Sequence, residues 1–470
     1  MLALPGNVMK RALLLVILLV GLAAAIGITR ATLERDKEYR RLLGEGEEAL
    51  ASGQTLSAIA AFSGAIALKR DSMAGWLKRG ETYQRHGDLE AALRDLRTAA
   101  ALDPAATRPL EELGDVHYAQ GQFARAAERY EAYLRLDDQS ARLLYKLGLA
   151  RYRQGMNQGA IAPLRRAVAL NDRFAEAYQL LGLALRKQGQ TAEAVRMLHR
   201  AIRTDPTLAA AREALADIYG SAARHGPRLE QLEALAALDV DRPERFLTLG
   251  MAQAEAGRVD LAVHTISRAV ERKPGSSLAY SSLALVWLRL AERGDRAAIG
   301  KALEASRLAV ATETLSSQAL LVHGRAQMLA GRPDLALRTL RKATEHLPVE
   351  EEAFLYLGDA AFRVGRIREA RSALLSYVAL TDEPRRVVTT ASRIAALSMR
   401  LNDAPTAVKW LTRASRLQPD EADLLVQLSD AHVAAGDRTS ARDVLDRALA
   451  KGADPSTPTF RRLSIQLQKP

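Results

Sequence analysis

MAGWLKRGETYQRHGDLEAALRDLRTAAALDPAA, residues 73–106, is the stretch that decides the fold. It reads as two helices joined by a turn. Trp76, Gly80 and Tyr83 recur at helical spacing and share one face of a first helix. Ala92, Leu96 and Ala99 do the same in a second. Gly87 stands between them, where a turn needs a backbone angle that a Cβ resists. Pro104 stops the second helix, because it lacks an N–H and crowds the preceding turn. Gly80 is small where two antiparallel helices must approach, and Ala92, five residues past the turn glycine, is expected to meet it.

The same grammar returns along the chain. Gly53, Gly87, Gly121, Gly155 and Gly189 recur at one constant interval, the length of the quoted stretch, and Gly257, Gly331, Gly365 and Gly436 hold the equivalent place later. Seven residues before many of them stands another glycine: Gly46, Gly80, Gly114, Gly148, Gly182, Gly250, Gly324 and Gly358. Five residues after stands alanine, from Ala58, Ala92, Ala126, Ala160 and Ala194 to Ala262, Ala336, Ala370 and Ala441. Pro206, Pro274, Pro348 and Pro419 repeat the stop at Pro104. Large residues between them (Trp76, Leu113, Leu147, Leu181, Phe246, Leu283, Phe354, Leu425) are expected to fill the interior at about 1.5–3 kcal/mol each. No single hairpin can bury its own face, so stacking must do it.

A 34-residue period with W-x2-L-G-x2-Y, then A-x3-F, then P resembles the tetratricopeptide repeat, with Arg79 in place of the usual Leu. The resemblance implies an all-α fold, a right-handed superhelical solenoid of about twelve helix hairpins. Units fall at about 39–72, 73–106, 107–140, 141–174, 175–208, 209–242, 243–276, 277–316, 317–350, 351–384, 388–421 and 422–455. Three places depart from the pattern and are the expected joints. Unit 209–242 has Ala223, Arg228 and Leu235 at small-residue positions, plus Gly226-Pro227. Unit 277–316 carries about six extra residues around Arg293–Arg296, and 385–387 reads as a spacer. In the last segment, 456–470, Thr457-Pro458 opens a helix whose Phe460, Leu463 and Leu467 share a face suited to capping the stack.

Ahead of the repeats, a basic tail (1–11) precedes a transmembrane helix (12–29) and a helical linker (30–38). The run ALLLVILLVGLAAAIGI, 12–28, carries no charge. That is about 26 Å of helix against a hydrocarbon core of about 30 Å. Lys10, Arg11 and Arg30 snorkel outward and extend its reach. The rival is a cleavable signal peptide, since Ala23-Ala24-Ala25 is an A-x-A-like site, although Ile26 and Ile28 stay apolar beyond it. A basic-then-apolar N-terminal segment leaves its tail inside a bacterial inner membrane and the repeats in the periplasm. Arg30, Arg35, Lys37, Arg40 and Arg41 outnumber the basic residues before it and argue for the other side.

The composition removes many functions. With 470 residues the chain is longer than one packed core, and Ala, Leu and Arg dominate it. Cysteine is absent, which excludes disulfides, thiolate metal sites and cysteine nucleophiles. The eight histidines lack helical metal-ligand spacing; His117 and His432 take the tyrosine position of their repeats, and His323 the leucine position. Gly44-Glu45-Gly46 with Ala49 has no preceding strand, and Gly46 is already a packing glycine. No enzyme motif is present and the repeats leave no room for a catalytic domain. No cofactor, metal, nucleic acid or small-molecule substrate is expected. A net charge of +12 fits surface arginine near a membrane.

The resemblance implies a partner-binding groove lined by first helices. Carried over position by position, it holds the basic and aromatic residues Arg142, Tyr145, Tyr152, Arg153, Arg186 and Lys187, after Glu81, Glu111 and Asp115. From 243 onward it turns apolar: Leu247, Met251, Leu285, Leu288, Leu321, Met328, Leu355 and Phe362. Ordinary interhelix packing accounts for an apolar run equally well. The Lys/Asn pair with which some of these proteins clamp a C-terminal carboxylate is missing: the equivalent pairs are Leu77/Glu81, Glu111/Asp115, Tyr145/Leu149 and Gln179/Leu183. The resulting expectation is a membrane-anchored scaffold for a bacterial envelope, secretion or polysaccharide-export complex. A cleaved, exported adaptor and a non-catalytic regulatory subunit are the alternatives.

Overall fold

The computed structural model describes residues 6–468, every regular element of which is helical. The chain divides into two compact units, Met1–Ala222 and Ala223–Pro470. The first holds α1 (Gly6–Ala51), α2 (Thr55–Leu68), α3 (Met73–His86), α4 (Leu89–Leu102), α5 (Thr107–Ala119), α6 (Phe123–Leu136), α7 (Ala141–Arg153), α8 (Asn157–Leu170), α9 (Ala175–Lys187), α10 (Thr191–Thr204) and α11 (Ala209–Ser221). The second holds α12 (His225–Leu238), α13 (Pro243–Glu255), α14 (Val259–Arg272), α15 (Ser277–Glu292), α16 (Arg296–Thr312), α17 (Ser317–Leu329), α18 (Pro333–Glu345), α19 (Glu351–Arg363), α20 (Ile367–Leu380), α21 (Pro384–Arg400), α22 (Ala404–Leu417), α23 (Ala422–Ala434), α24 (Arg438–Ala450) and α25 (Pro458–Gln468). Within each unit, consecutive helices pair as hairpins and hairpins stack on their neighbours, an all-α solenoid.

The hairpin α3/α4 shows how the sequence builds the repeat. Gly87 turns the chain at φ 90°, and the Asp88 carboxylate accepts from the Ala91 N–H at 3.0 Å to cap α4. A Cβ on Gly80 would lie 2.8 Å from Leu96 Cγ. The partner of the small residue is therefore the leucine nine positions past the turn, not Ala92. At Gly182 the same site meets Leu198 together with the Ala194 carbonyl, so the alanine contributes its backbone while its methyl is buried elsewhere. Arg79, standing where the repeat usually has Leu, spends its charge inside. It binds buried Asp95 at 2.6 and 2.9 Å and Ser63 at 2.9 Å, flanked by the Trp76 and Tyr83 rings. Leu113, Leu147, Leu181, Phe246 and Leu425 are buried. Trp76, Leu283 and Phe354 are only half-buried, and the Trp76 indole N–H donates to the Arg70 carbonyl at 2.9 Å.

The basic tail, apolar segment and linker expected as separate pieces are one helix, insofar as they are described: α1 runs 46 residues, about 69 Å. Residues 1–5 of that tail lie outside the described residues. From Leu13 to Ile28 α1 touches nothing and its side chains are exposed. Lower down it becomes the first helix of the first hairpin, where Tyr39 is buried, its hydroxyl 2.6 Å from Ser72 Oγ, and Asp36 pairs with Lys69 at 2.7 Å.

Two expected joints are occupied by helix. The extra residues near Arg293 lengthen both helices, α15 to 16 residues and α16 to 17, where α13 and α14 have 13 and 14. The turn stays tight at Gly294, with Asp295 capping α16 through the Ala297 and Ala298 N–H groups. Residues 385–387 are helical and give α21 an additional turn after Pro384. The third departure coincides with the division of the chain: α11 closes one unit and α12 opens the next. Ala223 there adopts φ 51°, the left-handed angle the other repeats assign to glycine or, before α22, to Asn402, at a strain of roughly 1–2 kcal/mol. Phe460, Leu463 and Leu467 of α25 are buried in the cluster that also holds Leu424, Leu428 and Leu445.

Candidate partner-binding face

In the first unit, half of the basic groove residues are already engaged. Glu111 is buried on α5 and accepts from Arg142 and from Lys146, each at 2.7 Å; Lys146 also reaches Asp115 at 2.6 Å. The Tyr130 hydroxyl donates to Asp115 at 2.7 Å, and burial together with that carboxylate raises its pKa far above the phenol range. This cluster ties α5, α6 and α7 together and leaves Arg142 little charge to offer a partner. Arg186 lies 3.5 Å from Asp217. Tyr145 is half-buried against Phe174, ring centroids 4.9 Å apart, and Tyr152 is half-buried as well. Arg153 and Lys187 are exposed and make no ion pair among the described residues. Of four expected cations the fold presents two.

The apolar stretch of the second unit splits the same way. Leu247, Leu288, Leu321 and Met328 are buried. Leu288 packs in a cluster with Ala302, Ala305, Val322 and Ala326, and Leu321 and Met328 in one with Leu337 and Leu340. Packing accounts for Leu288, Leu321 and Met328, expected in the groove, and Leu247 is buried as well. Met251, Leu285 and Leu355 are half-buried, and Phe362 keeps 47% of its surface in solvent.

Phe362 has neighbours that sequence reasoning missed. Arg393, Ala396, Leu397 and Arg400 of α21 enclose a cavity of about 270 Å³ with Gly358 and Phe362 of α19. The Arg400 guanidinium stacks on the Phe362 ring, 5.4 Å from its centroid. Arg393 is paired with Asp359. A second depression continues along the same two helices past Leu355, Thr389, Arg385 and Arg386, where Arg386 binds Glu351 at 3.2 Å and Glu383 at 2.6 Å. The signal was present: α21 carries four arginines and no acidic residue.

Among the described residues nothing resembles a reaction centre. Buried His117 shares its Nδ1 with Gln122 Oε1 at 2.9 Å, and half-buried His323 lies between Ser306 and Gln327 at 3.0 and 2.9 Å. Burial lowers the pKa of both imidazoles. Among the described residues no three His, Cys, Asp or Glu side chains gather as a metal site.

Comparison with known proteins agrees with this architecture. A family model described as tetratricopeptide repeat matches residues 43–107, 111–175, 247–309, 321–383 and 394–458, and a second of the same description matches 175–218. No curated protein matches the chain. Among solved structures, MamA is 25% identical over 34% of this chain and 94% of its own, with a TM-score of 0.33. YrrB, described as a TPR protein with an unusual peptide-binding site, is 25% identical over 39% and 94%, TM-score 0.35. Yeast Tom70 is 15% identical over 92% and 99%, TM-score 0.43. The repeat matches cover most of the sequence and fall on the helix hairpins, and the chain belongs to the tetratricopeptide repeat family.

Proposed function

We propose that this chain is a membrane-anchored scaffold that holds a protein partner on the first-helix faces of its second unit. Its setting would be a bacterial inner-membrane complex for envelope assembly, secretion or polysaccharide export, with the repeats on the periplasmic side. The observation that carries the scaffold reading is the α19–α21 face, where a half-exposed phenylalanine and leucine stand among arginines without any catalytic group. Repeat proteins of this family act by such surfaces, not by chemistry. The anchor reading is supported by α1. Among the described residues it is the one helix long and apolar enough to cross a membrane, and its apolar part is wholly uncovered.

Fractionation tests the anchor. The full chain should sediment with membranes through high salt and alkaline washing and keep an N-terminus near Met1. A mature N-terminus near Ile26 in a soluble fraction would replace the anchor with an exported adaptor, leaving the partner-binding face intact.

A further inference from the structure

We infer that the trough between α19 and α21 binds an extended acidic peptide carrying an apolar side chain between two carboxylate groups. This rests on the reading of the first-helix faces as the partner-binding side and adds the chemistry of the partner. Arg385, Arg393 and Arg400 recur at helical spacing and share one face of α21. Arg393 is neutralised by Asp359, and neighbouring Arg386 is bracketed by Glu351, Glu352 and Glu383. Arg385 and Arg400 are exposed and make no ion pair among the described residues. Two cations without an ion pair thus mark the ends of the trough, about 22 Å apart along the helix.

Between them lies apolar surface. Phe362 is half-exposed, whereas Met328, at the same repeat position in α17, is buried. Stacking on Phe362 holds the Arg400 guanidinium in place and leaves its N–H edge open for a bidentate carboxylate. An extended chain covers about 22 Å in about seven residues, so carboxylates at both ends and one Leu or Phe between them match the site. A nucleic acid fits less well. Non-specific strands need successive stacking rings beside phosphate-binding cations. Of the described rings that line the trough, Phe362 is exposed and Tyr377 buried, and Glu352 and Asp359 stand along the same wall.

The test uses the full chain in detergent micelles and a fluorescein-labelled peptide of about seven residues, with Glu pairs flanking Leu-Phe-Leu. Anisotropy should report binding of this peptide and none of its Lys-flanked counterpart. Arg385→Glu with Arg400→Glu should weaken it about tenfold or more and flatten its salt dependence. Phe362→Ser should weaken it with the salt dependence kept. Arg338→Glu on the exposed side of α18 should change nothing. The milder pair Arg385→Gln and Arg400→Gln should give a smaller loss at unchanged helicity. Equal binding of the Lys peptide, indifference to the α21 variants, or displacement by a thymidine oligonucleotide would each overturn the inference. A chain that still crosslinks a protein partner through Phe362 while ignoring the acidic peptide would overturn it and leave the scaffold reading standing.

Discussion

Leu288→Ala and Phe362→Ala should separate core from groove, although both residues read alike in sequence. Leu288 has no exposed surface and packs against Ala302, Ala305, Val322 and Ala326. Its truncation removes three carbons at about 0.8 kcal/mol each and leaves a cavity, a combined cost of roughly 2.5–5 kcal/mol. Phe362 keeps 47% of its surface in water, so truncation opens no cavity. About half of a full side-chain burial is at stake there, plus about 0.5–1 kcal/mol from the Arg400 stack, roughly 1.3–2.5 kcal/mol in all. Repeat stacks open locally, so the assay is amide hydrogen exchange rather than a single melting curve. Since about 1.4 kcal/mol is tenfold, Leu288→Ala should accelerate exchange in α15–α18 on the order of a hundredfold or more. Phe362→Ala should accelerate exchange in α19 and α21 less, by about tenfold or a few times that, yet weaken partner binding more. Equal acceleration by the two variants would mean that Phe362 is core, and the reasoning from exposure would be refuted.

Gly148→Ala should destabilise by about 1–3 kcal/mol in urea, because its Cβ would stand 2.5 Å from Leu164 Cγ and outweigh the gain in helix propensity. Gly44→Ala, with nothing within 4 Å, should stabilise by up to about 1 kcal/mol. Ala223→Gly should stabilise by about 0.5–1 kcal/mol, the relief of left-handed strain less the added freedom of the unfolded chain; Gly155→Ala, at φ 84°, should do the reverse. Burial holds the His117 and His323 imidazoles below their ordinary pKa of 6.5, so the unfolded chain takes up protons first as pH falls. Both hairpins should therefore keep their stability above about pH 6.5 and lose it on acidification below that, and His117→Gln should flatten the dependence around α5 in pH-resolved exchange.

What the sequence discloses depends on how narrowly the physics restricts each position. A turn at positive φ and a helix crossing too close for a Cβ each demand one residue type, so evenly spaced glycines expose the repeat. The crossing partner is less legible: Leu96 rather than Ala92 lies nearest a Cβ at Gly80. Groove residues are harder still. The fifth and twelfth positions of a first helix border both the open face and the next hairpin, and stacking decides between them, burying Leu321 and Met328 and uncovering Phe362. Charge is equally non-local, since Arg142 on α7 is silenced by Glu111 of the preceding hairpin. Extra residues near Arg293 look like a loop, yet three added to each helix keep Gly294 at the turn. Repeat counting places Ala223 at the turn position, but its left-handed angle is not legible, because alanine there is strained.

The claim that the α19–α21 face holds a protein partner is tested most directly by photocrosslinking in the cells that make the protein. Benzoylphenylalanine replaces Phe362 in one variant and Leu335, exposed on α18, in another. Irradiation should give a discrete heavier adduct from position 362, containing a second protein and lost with Arg385→Glu and Arg400→Glu, and none from position 335. An adduct from 335 with none from 362 would contradict it.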